Sequence, residues 1–492
     1  MDPEPDDRAA HAAPPGSAPP AFDPERFRRE GRAVVDWIAD YWQSLESQPV
    51  LSRVAPGWVR DQLPAAPPAA PEPLGAVLAD LDRVIMPGLT HWQHPGFFGY
   101  FPASTSGPSI LGELLAAGLG VQGMLWTTSP ACTELETLVL DWLRELLGLP
   151  ERFASTAAGG GVIQDSASSG LLCAVLAARE RATGGETNRT GVRQQAGQLT
   201  AYCSVAAHSS VEKGLRIAGI GSDWLRRLPV DDRGGLDVAA FADAITADAA
   251  AGRRPFFVAA TVGTTAAGAI DPVPAIAALA ARHGAWLHVD AAWAGAAAIC
   301  PELRPPIVAG AEAADSWGCN PHKWLLVNFD CHALWVADRG ALVRALSLKP
   351  DYLGNAATAA GAVIDYSDWQ VPLGRRFRAL KLWMVLRMIG ADALRRRIHD
   401  HVAWAREFAE WLSADGRFEL LVPPSLGLVC FALRSGDEAS AALLDRVNAD
   451  GAVFLSRASI GGRLALRLAI GGPVTERRHV VAAWQAIQRA VP

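Results

Sequence analysis

The residues best suited to do chemistry are Asn320-Pro321-His322-Lys323-Trp324. A lysine stands here amid apolar chain, with Trp317 and Trp324 on either side and Leu325-Leu326-Val327 following. Lysine is seldom fully buried without a partner. Taking an ammonium out of water lowers its pKa and frees the amine as a nucleophile. Such an amine forms Schiff bases with carbonyl compounds. A lone lysine in an apolar run more often packs its stem and keeps its head in water. The reactive reading therefore depends on what else the chain brings to this lysine.

Three further groups complete a set. Asp290 ends the run Trp286-Leu287-His288-Val289. Ser166-Ala167-Ser168 sits at a predicted helix start, where backbone N–H groups, a hydroxyl and a positive dipole end suit a phosphate. His208 follows a predicted strand and could lie over a flat ring. Taken singly, these are an ordinary strand-end aspartate, a helix cap and a core histidine. Together they meet the needs of a pyridoxal phosphate (PLP) enzyme. Such an enzyme needs a lysine for the cofactor aldehyde, a carboxylate keeping the pyridine nitrogen protonated, a phosphate cup and a group over the ring.

The elements that position these groups alternate. Strands are predicted near 162–164, 200–207, 256–262, 285–290 and 333–336, with helices between them, which gives an α/β domain with a mainly parallel central sheet. Ligands in such sheets bind beyond the carboxyl ends of the strands, where His208, Thr265 and Asp290 all fall. Thr133 and Glu136 form a capping-box pattern ahead of an apolar helix face. Residues 1–21 are Pro- and Ala-rich and acidic and are expected to be a disordered tail. An amphipathic helical arm is expected over 22–105, broken by a Pro-rich extended connector over 53–73. A large cofactor-binding domain over 106–376 and a smaller C-terminal α+β domain over 377–492 complete the division. Residues 352–365 carry little to bury and are expected to form a flap.

Composition excludes several classes. Of 492 residues, 50% are hydrophobic and 20% charged, and the net charge is −6. No basic stripe suggests nucleic acid, and no apolar run is long enough to span a membrane. The acidic N-terminus has no apolar core of the secretory kind. Seven scattered cysteines, an odd number, suit free thiols in a reducing cytoplasm. Cys331 and His332 are adjacent and would point apart in a strand, so they make no zinc site with Cys319 and His322, and no metal is expected.

The sequence resembles the group II PLP-dependent decarboxylases, and among them the aromatic-L-amino-acid decarboxylases. The resemblance is carried by HWQHPGFFGYFPAS from His91, GGGVIQDSAS from Gly159, AHSSVEK from Ala207, ATVGTT from Ala260, WLHVDAAWAG from Trp286, NPHKWLLVNFDC from Asn320 and DWQVPLGRRFRALK from Asp368. It runs from about residue 22 to the C-terminus. It implies the PLP-dependent transferase-like fold (fold type I, aspartate-aminotransferase-like) and a homodimer with sites at the subunit interface. It implies that Lys323 holds the cofactor aldehyde and Asp290 the pyridine nitrogen, with His208 and Ala292 on opposite ring faces. Ala167, Ser168 and Asn320 look like phosphate ligands, while Thr265 and His322 match cofactor-proximal positions. Tyr352 matches the flap tyrosine that returns a proton to the substrate carbon. Trp92, Tyr100 and Phe101 match an aromatic wall.

Ala103, Trp293 and Met124 depart from the mammalian pattern around the substrate, and Gly374 matches the position that leaves room for bulky rings. No arginine stands out as a pocket residue, which argues against acidic substrates. The implied reaction converts tryptophan, 5-hydroxytryptophan, DOPA, tyrosine or phenylalanine to the amine and carbon dioxide. Two alternatives remain. One is an aldehyde synthase, a branch that resembles this chain but carries phenylalanine at the flap tyrosine. The other is a catalytically silent PLP-binding subunit.

Overall fold

The computed structural model describes residues 22–192, 198–348 and 363–491. They fall into two compact units, 1–90 and 91–492.

In the first unit, helix α1 (Pro24–Ser44) is started by Asp23, whose Oδ1 accepts from the N–H groups of Glu25 at 3.0 Å and Arg26 at 3.2 Å. No residue of α1 is buried, although its sequence is amphipathic. The connector over 53–73, expected to be extended throughout, contains one helical turn at Trp58–Asp61. Gly57, at φ 91°, starts that turn in a backbone conformation that disfavours other residues.

The second unit is built on a seven-stranded sheet. Its strands are β1 (Gly160–Gln164), β2 (Leu199–Ser204), β3 (Leu225–Leu228), β4 (Arg254–Thr261), β5 (Trp286–Asp290), β6 (Ser316–Cys319) and β7 (His332–Val336). They lie in the order β1-β7-β6-β5-β4-β2-β3. Strands β3, β2, β4, β5 and β6 run parallel. Strand β7 runs antiparallel to both β6 and β1. Strand β1 thus points the same way as the parallel set, and only β7 is reversed. The carboxyl ends of β1, β2, β4, β5 and β6 and the start of β7 therefore share one edge. Strands β1, β2 and β7 are buried along their whole length, as strands of a sheet covered on both faces are.

Helices α2 (Gly107–Leu119), α3 (Pro130–Leu147) and α4 (Ala167–Thr183) precede or follow β1. The Thr133/Glu136 capping box does not start α3. Ser129 caps the helix, its Oγ accepting from the Cys132 N–H at 3.4 Å, and Pro130 opens the first turn. Thr133 and Glu136 lie a turn further in, both buried. Their spacing imitates a cap while serving a buried ion pair described below.

Helices α5 (Arg378–Met388) and α6 (Ala391–Ala414) lead into a second sheet. Its strands β8 (Phe418–Leu420), β9 (Leu428–Leu433), β10 (Ser456–Ile460) and β11 (Arg463–Ala469) lie antiparallel in the order β10-β11-β9-β8. Helices α7 (Asp437–Asp450) and α8 (Arg477–Ala490) pack on it with α6 around Phe408, Phe418, Phe431 and Leu466. All seven cysteines are free and buried. Among the described residues no helix is long and apolar enough to cross a membrane.

Candidate active site

Lys323 sits on a single helical turn, Pro321–Trp324, placed directly after β6. Pro321 cannot donate to a sheet ladder, so the chain leaves the sheet there and turns. The Asn320 N–H donates to the Ala292 carbonyl at 2.9 Å, joining this turn to the loop after β5. The lysine is half-buried, and its Nζ lies 5.6 Å from the centroid of the Phe101 ring. No hydrogen-bond or ion-pair partner reaches Nζ among the described residues. Burial lowers the Lys323 pKa, and the nearby Asp290 and Cys319 pull it partly back.

Asp290 ends β5 opposite Gly318 of β6. Its Oδ1 accepts from the Ala292 N–H at 3.0 Å, and its second oxygen has no partner among the described residues. Helix α4 begins at the same edge. Ser166 caps it, its Oγ accepting from the Ser169 N–H at 3.2 Å. The N–H groups of Ala167 and Ser168 have no acceptor among the described residues, which leaves two donors at a positive helix end.

His208 is exposed at the end of the loop after β2. Its Nδ1 accepts from the Ser210 N–H at 3.2 Å and lies 2.9 Å from the Ser210 hydroxyl, so the ring proton belongs on Nε2. His322 is buried, and its Nδ1 accepts from the Cys331 N–H at 2.9 Å. Burial, reinforced by the Lys323 charge, pushes its pKa down to about 3, so the ring stays neutral. Thr265 lies exposed beyond β4, where Thr264 closes the turn by accepting from the Ala269 N–H at 3.0 Å.

One residue of this neighbourhood was not singled out from the sequence, in which no arginine stands out as a pocket residue. Arg467 of β11 is buried, and its Cζ lies 5.2 Å from the Phe101 ring, the same ring that Lys323 faces. Its Nε donates to the Ala266 carbonyl at 3.1 Å and its Nη1 to the Ser456 hydroxyl at 2.8 Å. Nη2 is buried with no partner among the described residues. A visible signal was an arginine inside the otherwise apolar strand Leu464-Ala465-Leu466-Arg467-Leu468.

Of the expected aromatic wall, Phe101 reaches this neighbourhood and stacks on Trp293 at 4.1 Å. Trp293 in turn stacks on Trp324 at 5.4 Å. Trp92 and Tyr100 stack on each other at 5.6 Å and pack with Phe97 and Phe454. Ala103 accepts from the Gln93 amide at 2.5 Å through its carbonyl. The Met124 carbonyl accepts from the Ser367 N–H at 3.0 Å, and Gly374 is exposed two residues after Pro372. Tyr352 lies outside the described residues.

Residues 56–434 match the pyridoxal-dependent decarboxylase conserved domain. The chain belongs to the pyridoxal-dependent decarboxylase family. It is 44% identical over 476 residues to tryptophan decarboxylase 2 of Oryza sativa subsp. japonica, covering 95% of each chain. It is 46% identical over 476 residues to a phenylacetaldehyde synthase of Arabidopsis thaliana, covering 95% of this chain and 96% of the relative. The crystal structure of Oryza sativa TDC with PLP and tryptamine superposes with a TM-score of 0.92 at 41% identity, covering 96% of this chain and 99% of that one. The fold is accordingly that of the PLP-dependent decarboxylases, and pyridoxal phosphate is the cofactor.

The donor set of this chain fits that cofactor. An uncompensated half-buried amine, a carboxylate oxygen without a partner and two unpaired N–H groups at a helix start meet at one sheet edge. These are complements for an aldehyde, a protonated ring nitrogen and a phosphate respectively.

Proposed function

We propose that this chain decarboxylates an aromatic L-amino acid, releasing the arylalkylamine and carbon dioxide. The observation that carries the reading is the Lys323 amine, held without an ion-pair partner beside Asp290 at the sheet edge where α4 begins. The relatives act in support, since they comprise a tryptophan decarboxylase and a phenylacetaldehyde synthase.

The division of labour follows from the chemistry of each group. When bound, pyridoxal phosphate supplies the electron sink for the bond to the leaving carboxylate. Lys323 would hold the cofactor aldehyde, and burial, which lowers its pKa, favours the uncharged amine that such a bond requires. Asp290 keeps a proton on the ring nitrogen through its unpaired oxygen. The N–H groups of Ala167 and Ser168 receive the phosphate, with Asn320 as a further donor. His208 covers one ring face and Ala292 the other, with Thr265 and His322 close by. Arg467 offers its unpaired Nη2 to the substrate carboxylate. Phe101 keeps water away from both cations. Trp92, Tyr100, Ala103, Met124 and Gly374 border the aromatic group. Tyr352 delivers the proton to the substrate carbon.

The 46% identity to a phenylacetaldehyde synthase gives weight to a second reading, in which decarboxylation is coupled to oxidative deamination. Tyr352 favours the amine, because the resembling aldehyde-forming branch carries phenylalanine there. One experiment separates them. Purified protein with PLP is given tryptophan, DOPA, tyrosine and phenylalanine, and carbon dioxide, amine, aldehyde and peroxide are measured. Amine with carbon dioxide is expected. Aldehyde with peroxide would establish the second reading, and no carbon dioxide from any substrate would overturn both.

The chain is further proposed to work as a homodimer with sites at the interface. Helix α2 exposes Leu111, Leu114, Leu115 and Leu119, which fall on one helical face. An exposed apolar helix face of this kind calls for a second copy to cover it.

A further inference from the structure

His332 opens β7 at the sheet edge that carries the site, paired in register with Gln164 of β1. It is 1% exposed, and burial together with the neighbouring His322, His288 and Lys323 lowers its pKa well below the usual histidine range. A neutral ring has one N–H to give. Its Nδ1 lies 2.5 Å from Asn320 Oδ1 and Nε2 has no partner among the described residues, so the ring proton belongs on Nδ1, which the Cys319 carbonyl shares with that oxygen. That contact fixes the Asn320 amide with its oxygen toward His332 and its NH2 as a donor. The NH2 has no partner among the described residues. Asn320 is the cap of the turn that bears Lys323.

The other side of the ring is equally constrained. A Cβ on Gly170 would fall 2.5 Å from His332 Nε2. A Cβ on Gly318 would fall 2.8 Å from its Cε1 and 3.0 Å from Nε2. Gly170 lies in the first turn of α4, one turn on from the unpaired N–H groups of Ala167 and Ser168. Gly318 lies in β6, two residues before Asn320. The imidazole therefore occupies space that two glycines leave open, between the first turn of α4 and the Lys323 turn. An alanine at Gly170 should improve an isolated helix by about 1 kcal/mol, so a helix-propensity argument gives no reason for glycine there. The ring does.

We propose that His332 is the positioning residue of the cofactor site. It aims the Asn320 amide as a phosphate donor and sets the distance between the α4 N-terminus and the Lys323 turn. The inference rests on the PLP reading of the preceding section.

The test measures PLP affinity by quenching of protein fluorescence, with turnover as a separate readout. His332→Leu keeps the volume and removes the donor, and His332→Gln keeps a donor. His332→Leu is expected to weaken PLP binding about tenfold, the affinity equivalent of one hydrogen bond. Its kcat at saturating PLP should stay near wild type, and His332→Gln should recover part of the loss. Gly170→Ala is expected to weaken PLP binding despite its better helix propensity, and the double variant Gly170→Ala/His332→Ser to bind no worse than His332→Ser alone, because the smaller side chain relieves the clash. The Gly170 pair decides the matter even if His332→Leu fails to fold. Wild-type affinity in both His332→Leu and Gly170→Ala, or a Gly170→Ala defect as large in the His332→Ser background as in the wild-type chain, would overturn the proposal. Wild-type protein and Lys323→Ala run alongside. If wild type binds no PLP, or Lys323→Ala binds it unchanged with no loss of its visible absorbance, the PLP assignment fails rather than the role of His332.

Discussion

Lys323 and Arg467 face one aromatic ring: Nζ of the lysine lies 5.6 Å from the Phe101 centroid and Cζ of the arginine 5.2 Å. One cation sits on the turn after β6 and the other on β11, yet their head groups share an apolar partner and neither forms an ion pair with a carboxylate among the described residues. Two like charges held this way are favourable only toward a ligand that brings negative charge and an electrophile together.

The first prediction concerns Arg467. Arg467→Gln should lower kcat/KM for the amino acid by about 10- to 100-fold, the range for losing one charged hydrogen bond. The inhibition constant of the product amine, which has no carboxylate, should change little. Steady-state kinetics with product inhibition checks this. Equal weakening of amino acid and amine would remove Arg467 from carboxylate recognition.

The sequence carried the sheet edge but not all of its occupants. Asp290 could be placed because it ends an apolar run, and Lys323 stood out because apolar residues flank it on both sides. Arg467 could not be placed, because its approach to Phe101 depends on how the second sheet docks on the first, which no local pattern encodes. Glu136 misled for a different reason. Three-residue spacing from a threonine looks the same in a cap as inside a helix, and only Pro130, which starts the helix earlier, tells them apart. Strands β3 and β6, of four residues each, are too short for a period to register.

A second prediction follows from buried histidines. His288, His322, His332 and His401 are all buried. Burial lowers His288 to about 4 and His322 and His401 to about 3, and holds His332 well below its usual value. A histidine neutral in the fold but free to charge when unfolded stabilises the protein fully above pH 6.5. That stability is lost as pH falls, by about 1.4 kcal/mol per pH unit per residue. Four such residues remove on the order of 5 kcal/mol by pH 5.5. Asp271, raised to about 6 by burial, acts in the opposite sense, but by only about 1 kcal/mol at that pH. Urea midpoints should be nearly level from pH 8 to 7 and drop steeply below 6.5, and His401→Gln should flatten the drop by about a quarter. A level midpoint down to pH 5.5 would contradict this.

A third prediction addresses the proposed homodimer. Leu115 is 51% exposed near the centre of the apolar face of α2. Leu115→Glu adds a charge that is cheap in water and costly under a second copy. Light scattering should find wild type at twice the chain mass and the variant shifted to a single chain, with carbon dioxide release lost in parallel. An unshifted mass would place the subunit contact elsewhere.

The last prediction concerns the ion pair that α3 carries in place of a cap. Glu136 and Arg375 are both buried, and Glu136 accepts from both terminal nitrogens of the guanidinium at 2.5 Å. Glu136 Oε1 also accepts from the Ile163 N–H at 2.7 Å, and Arg375 donates to the Ile163 carbonyl at 2.7 Å. Arg375 further donates to Gln370 at 3.0 Å and covers the Tyr366 ring at 4.7 Å. The pair thus ties β1, whose end leads into the phosphate-receiving turn of α4, to the segment 366–375. Removing one charge strands the other away from water, so Glu136→Gln should cost about 3–5 kcal/mol, read from urea unfolding. Replacing both, in Glu136→Met/Arg375→Met, should restore much of that stability, because no unpaired charge remains. Activity should not return with it, since methionines can fill the space but cannot hold both the N–H and the carbonyl of Ile163 in place. Stability and turnover recovering together would mean that the pair serves the fold alone.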